Sequence, residues 1–160
     1  MEEYPVVKVK GGKARREDVI YRGKKAREFI EELGKKYGTV YIIDVDGYKK
    51  NSPNLSFYKK ISIPIWIDSF PRYVEDVMDL VISGFEKISI WNMNDGYLGE
   101  IKDMCDVDIF IGEEAEEEEA ARKASRYGFK GIILEEEQKK IKELEAWKIY
   151  MKDWMVRRTS

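Results

Sequence analysis

The chain contains no histidine and a single cysteine, Cys105. Without histidine there is no Ser-His-Asp triad, no imidazole general base and no histidine metal site. One cysteine excludes an intramolecular disulfide and a cysteine-cluster metal site. With no base recognisable beside it, Cys105 reads as a quiet structural thiol. A surplus of either charge is also missing: 29 Lys and Arg stand against 31 Asp and Glu, a formal net charge of −2. Nothing basic is left over to neutralise phosphates, so nucleic acid is not an expected partner. No apolar run reaches membrane-spanning length and the opening MEEYPVVKVKGGK has no apolar signal core, so no membrane association and a cytoplasmic location are the expectation. Amides are scarce, with one Gln and four Asn, while charged residues make up 38% of the chain. That profile is similar to that of hyperthermophile proteins rich in ion pairs.

What is present is a recurring alternation. A length of 160 residues fits one domain, 1–160, with a sizeable core. Six short apolar runs begin at Val6, Val40, Ile63, Ile88, Val107 and Ile132, most of them β-branched and nearly continuous. Strands buried on both faces of a parallel sheet have this composition. Helical patterns fill the intervals: Lys24 to Tyr37 before Gly38, Ser52-Pro53 through Lys60, Pro71 to Ser83 before Gly84, and Glu114 to Tyr127 before Gly128. In the last of these, Glu118 with Arg122 and Glu119 with Lys123 are i,i+4 pairs on a solvated face. From 135 to 157, Ile141, Leu144, Trp147, Met151, Trp154 and Met155 recur at three or four residues and predict a long amphipathic helix. The expected fold is therefore α/β: a TIM-barrel-like (βα) repeat with about six parallel strands, shortened or incomplete, carrying a long C-terminal helix. An open doubly wound sheet is the alternative. No glycine-rich dinucleotide or phosphate loop appears, and no cofactor is expected.

In either architecture, functional groups gather at the carboxyl ends of the strands. Those ends read Asp44-Val45-Asp46-Gly47, Asp68-Ser69, Asn92-Met93-Asn94-Asp95, Glu113-Glu114 and Glu135-Glu136, with Lys8 and Lys10 on the first strand. A carboxylate-rich mouth suits a cationic substrate or a divalent cation, and a desolvated Lys8 flanked by acids suits amine nucleophilic chemistry. Acidic loops and ion-paired lysines are the ordinary alternative.

The residues Tyr41-Ile42-Ile43-Asp44-Val45-Asp46-Gly47 with Asn54, and Ile63-Pro64-Ile65-Trp66-Ile67-Asp68-Ser69-Phe70-Pro71-Arg72 followed by Glu75-Asp76-Val77 and Ser83-Gly84-Phe85, carry a family pattern. So do Lys87-Ile88-Ser89-Ile90-Trp91-Asn92 and Pro5-Val6-Val7-Lys8-Val9-Lys10-Gly11-Gly12. Over residues 4–95 the chain resembles the ProFAR isomerase family of histidine biosynthesis and its imidazole glycerol phosphate synthase cyclase sister. The resemblance implies a (βα) barrel with paired acid and base and two phosphate sites. The phosphate-binding glycines of that family are replaced here by Asp68-Ser69-Phe70 and Trp91-Asn92, and its first-strand acid by Lys8. Glu113 is the plausible stand-in for the second acid. These departures imply loss of the isomerase activity.

Three readings follow. The chain is a non-catalytic binding or assembly module, its mouth plugged by Trp66, Phe70 and Trp91. Or it is a small-molecule enzyme of isomerase or lyase type using Lys8, Asp44 and Glu113, with Asp46, Asp68, Ser69, Arg72 and Asn92 binding ligand. Or Asp44, Asp46, Asp68 and Asp95 hold a divalent cation. A homodimer through the C-terminal helix or an open sheet edge is the expected assembly.

Overall fold

The computed structural model describes residues 2–159. All six apolar runs are strands: β1 (Glu3–Lys10), β4 (Val40–Asp44), β5 (Ile65–Asp68), β6 (Lys87–Trp91), β7 (Asp108–Gly112) and β8 (Gly131–Glu135). The chain adds a hairpin after the first, β2 (Lys13–Arg16) and β3 (Val19–Arg22), and two strands at the end, β9 (Ala146–Tyr150) and β10 (Met155–Arg158). Six helices intervene: α1 (Gly23–Tyr37), α2 (Val45–Lys50), α3 (Leu55–Tyr58), α4 (Val74–Ile82), α5 (Asp95–Met104) and α6 (Glu117–Tyr127).

The shortened, incomplete (βα) barrel with a C-terminal helix is not the fold. Eight strands close a mixed barrel in the order β1-β4-β5-β6-β7-β8-β9-β10, and β10 returns to β1. Pairing is parallel from β1 round to β9. It is antiparallel on both sides of β10, through Met155↔Tyr150 and Glu3↔Arg157. Closure with fewer than eight (βα) units is possible because the last two strands dispense with helices. The connection 136–145 is irregular, and a tight turn over 151–154 reverses the chain. The backbone of Trp154 turns it with a left-handed φ of 53°.

The predicted helix over 135–157 fails for an identifiable reason. Trp147 and Ile149 alternate into one face of a five-residue strand. Between them, buried Lys148 points the other way and donates to the Gln138 carbonyl. A polar residue framed by Trp147 and Met151 gives a helical spacing by coincidence. With no helix there, that route to a dimer is absent. The free edge of the sheet is β3, where Ile20 is 57% exposed.

Strand alternation sorts the core into two shells. Val6, Tyr41, Trp66, Trp91, Phe110, Ile133, Trp147 and Val156 fill the inside of the barrel. Val7, Val9, Val40, Ile42, Ile67, Ile88, Ile90 and Ile132 pack outward beneath the helices, against Ile30, Leu80, Leu98 and Ala124. Inside, Trp66 meets Phe110 at 4.3 Å and Trp147 edge-on at 5.2 Å between centroids. The Trp66 indole donates to Ser89 Oγ, so its buried polar atom is satisfied. Gly112 allows the Trp91 ring to lie against β7, where any Cβ would run into the indole. No helix among the described residues is long and apolar enough to cross a membrane.

Candidate functional site

The carboxyl ends of the parallel strands surround a cavity of about 640 Å³, a size typical of small-molecule sites. Parity decides what faces it. Lys8 follows the interior residue Val6 by two, Ile43 follows Tyr41, Asp68 follows Trp66, and Trp91 follows Ser89. Tyr48 and Lys49 reach the cavity from α2, and Glu135, Glu136 and Glu137 from the end of β8.

Asp68 forms the floor. It is fully buried and accepts three hydrogen bonds, from Tyr41 Oη, from Tyr48 Oη at 2.6 Å and from Trp91 Nε1 at 3.2 Å. Burial pushes its carboxyl up to about 6, although those three donors pull the other way. The two phenols move upward as well, chiefly through burial and then the adjacent carboxylate, and so remain donors. Tyr48 stacks obliquely on Phe70 at 5.1 Å, and Phe70 holds a left-handed φ of 55°. For a bulky residue that conformation is strained by about 1–2 kcal/mol. Such strain persists where the surroundings fix it, often at functional sites.

The rim is acidic on one side. Glu135 is raised to about 7, first by burial and then by its hydrogen bond and repulsion with Glu137, with Glu114 and Asp68 adding to the field. Glu136 pairs with Lys152 at 3.8 Å. Across the mouth stand Lys8 and Lys49. The Lys8 ammonium lies 5.8 Å from the centre of the Trp154 ring. No carboxylate within salt-bridge distance of Lys8 occurs among the described residues.

The residues expected to act together are separated by the barrel wall. Asp44, of opposite parity to Ile43, points outward. It caps α2 by accepting from Gly47 N at 2.8 Å, and it also accepts from Asn54 N and Tyr58 Oη. Glu113 pairs with Lys123 of α6 at 3.0 Å, while its neighbour Glu114 faces the cavity. Of the proposed catalytic set, only Lys8 lines the mouth.

Of the proposed ligand-binding set, only Asp68 does. Asp46 accepts from Gly11 N and Asn54 Nδ2 and pins the turn between β1 and β2, and those bonds lower its carboxyl. Ser69 is buried, with its carbonyl packed on Gly47. Arg72 donates to the carbonyls of Gly47 and Tyr48, tying α2 to the β5 loop. Asn92 exchanges hydrogen bonds with Glu114, donating from Nδ2 at 2.6 Å and accepting its N–H at 2.9 Å.

The four acids of the cation hypothesis are dispersed, Asp95 being held by Arg122, Arg126 and Tyr127. Among the described residues, no group of three or more His, Cys, Asp or Glu is placed to hold a metal ion. Nor is the mouth plugged: Phe70 and Trp91 are walls of the cavity, and Trp66 lies below it.

Sequence reasoning placed Glu114 and Glu135 at strand ends without giving either a role, and it missed Tyr41, Tyr48 and Glu137 as site residues. Ser89, a lone polar residue inside an apolar strand, was the available pointer to a polar interior. A second cavity, of about 360 Å³ near Tyr58 and Phe85, lies at the opposite ends of the strands, away from where sheets of parallel strands place ligands. No protein-family model and no curated protein matches the chain.

Proposed function

We propose that the chain is a non-catalytic binding module that receives a small molecule bearing a positive charge in the mouth of its barrel. The observation that carries this is the composition of the 640 Å³ cavity: Asp68, Glu114, Glu135, Glu136 and Glu137 outnumber Lys8 and Lys49 around aromatic walls. An organic cation gains there from the carboxylates, in a cavity also lined by Trp91 and Phe70. Catalysis is disfavoured by the saturation of Asp68 and by the lack, among the described residues, of a carboxylate paired with Lys8. Calorimetry with n-pentylamine tests the reading. Saturable binding that weakens at least tenfold in Glu135→Gln is expected; no saturable binding refutes it.

A second reading has one observation in its favour. Glu135, raised to about 7 and half-buried at the rim, is poised to exchange protons near neutrality. It predicts exchange of α-protons of small carbonyl compounds into deuterated water, lost in Glu135→Gln. No exchange above the buffer rate would dispose of it.

The resemblance to ProFAR isomerase does not extend to its chemistry. Supporting this, the residues that resemble the family's pattern read Lys8 for its first-strand acid and Asp68 and Trp91 for its phosphate-binding glycines, so a dianion would meet repulsion and steric fill. Rescue of an isomerase-deficient host by this gene would overturn that view.

Self-association, if a second copy is used, belongs at β3. The bond from Gly23 N to Gly12 O fixes the hairpin parity, so the amides of Ile20 and Arg22 point away from β2. An antiparallel second copy centred on Ile20 sets Asp18 opposite Arg22, a complementary pair on each side. Sedimentation at micromolar concentration decides it, a clean monomer counting against the contact.

A further inference from the structure

The charges at the barrel mouth are not mixed but divided. The strand order is a ring of eight: β1, β4, β5, β6, β7, β8, β9, β10. Counting round it, β7 lies four places from β1, and β8 four places from β4. Each pair is therefore diametrically opposed. Lys8 stands on β1, and Lys49 follows β4 in α2. Glu114 follows β7, and Glu135 to Glu137 end and follow β8. All of them line the same cavity. One half of the rim is cationic and the facing half anionic.

Opposite charges held apart across a cavity do not neutralise one another by contact. Lys8 touches a tryptophan ring instead of an acid. Glu135 faces Glu137, a like charge. Glu136 is paired with Lys152, but Lys8 and Glu135 have no partner of opposite charge in the salt bridges of the described residues, and a ligand with the reverse polarity would match both at once. Between the halves stand Phe70 and Trp91, with the Asp68 floor beneath them, on the β5–β6 side, and Ile149 and Met151 on the side of β9.

We propose that the ligand is a zwitterion of the ω-amino acid type, its carboxylate or other anionic group toward Lys8 and Lys49 and its ammonium toward Glu114 and Glu135. This rests on the reading of the mouth as a binding site and adds the second, anionic end of the ligand. Eight strands about 4.8 Å apart, inclined near 40°, close a ring about 16 Å wide between backbones. Lys8 and Glu135 stand on opposite arcs of that ring, so a ligand that meets both carries its two charges at its two ends. The methylene chain of the ligand would lie between Trp91 on one side and Ile149 on the other.

The test compares three probes of one length: 5-aminovalerate, n-pentylamine and pentanoate. Calorimetry at pH 8, where Glu135 is ionised, should show 5-aminovalerate binding at least tenfold more tightly than either singly charged probe. Lys8→Met keeps the aliphatic stem on Trp154. It should weaken 5-aminovalerate at least tenfold without weakening n-pentylamine, whose ammonium loses a repulsive neighbour, whereas Glu135→Gln should weaken both. Melting curves of each variant verify that the fold is retained. If n-pentylamine binds as tightly as 5-aminovalerate, the zwitterion is wrong and the cation-binding mouth stands. If none of the three binds, both are wrong. If Lys8→Met weakens the amine equally, the effect of Lys8 is structural and the assignment of the anionic end falls.

Discussion

Replacing Asp68 with asparagine removes a titrating carboxyl from the barrel interior while keeping its shape and one acceptor oxygen. In the folded chain this carboxyl is raised to about 6 from an ordinary 3.8. A carboxyl raised by folding stabilises the native state below its unfolded pKa, because the native state holds its proton more tightly. That contribution is lost as pH rises from about 4 through about 6. The full span, about two pKa units, corresponds to about 3 kcal/mol. Between about pH 4.5 and pH 7.5, where most surface carboxylates stay ionised throughout, about 2 kcal/mol of it falls. Asparagine does not titrate. The stability of Asp68→Asn relative to the unsubstituted chain should therefore improve by about 2 kcal/mol from the lower pH to the higher, equivalent to roughly 4–8 °C in Tm for a domain of this size. Its absolute position depends on how the new amide N–H₂ is accommodated. Tyr41 Oη, which also lies 2.9 Å from Ser89 Oγ, can turn to donate to Ser89 and accept from the amide. Guanidinium unfolding followed by the fluorescence of the buried tryptophans, at both pH values, measures the difference directly. A relative stability that stays constant within about 0.5 kcal/mol would refute the claim that Asp68 is ionised at a cost inside the barrel.

Other perturbations separate the two shells of the core. Tyr58→Phe removes the phenol that donates to buried Asp44; a loss of about 1.5–3 kcal/mol is expected in chemical denaturation, with n-pentylamine binding unchanged because Asp44 is outside the cavity. Trp147→Ala empties a fully enclosed interior position and should lose about 3–5 kcal/mol, whereas a drop below about 1 kcal/mol would contradict the closed interior. Gly47→Ala drives a Cβ into the backbone carbonyl of Ser69; destabilisation of about 1–3 kcal/mol is expected from the melting midpoint, and an unchanged midpoint would show that the α2–β5 contact is loose. Because Glu135 is raised to about 7 and an ammonium favours its ionised form, amine binding should tighten as pH rises from about 6 to about 8 and release a proton. Calorimetry in buffers of different ionisation heat reads that proton, and pH-independent affinity would contradict it.

Six strands were legible because residues such as Val40-Tyr41-Ile42-Ile43 are β-branched, aromatic and buried on both faces. The same property hid which face each residue takes. Where both faces are apolar, hydrophobicity gives no parity, and a slip of one position exchanges inside for outside. That is how Asp44 and Glu113 entered the expected site while Ile43 and Glu114 face the cavity. Lys8 and Asp68 were taken as candidates from their positions on the strands alone, and both side chains line the cavity. The end of the chain was misread because β9 is only five residues long, too short for alternation to outweigh the three- and four-residue spacing of Trp147, Met151 and Trp154. The closure of the ring had no local signal: it depends on Glu3 meeting Arg157, 154 positions away.

That meeting has a kinetic consequence. Every other pairing in the barrel joins residues no more than about 35 positions apart, as Val6 and Tyr41 are, so each forms with a smaller loss of chain freedom. Joining Glu3 to Arg157 closes a loop of 154 residues, an entropic loss of about 4–5 kcal/mol before any contact rewards it. The β1–β10 seam is thus expected to be the last junction to form as the chain folds. Its side-chain ties are exposed, Arg157 to Glu3 and Arg158 to Glu2, and such pairs each contribute less than about 1 kcal/mol. Amide exchange should therefore find the seam opening ahead of the parallel arc. The Lys8 side of the mouth, on the strand that forms one lip of that seam, would be the half able to yield when a ligand enters.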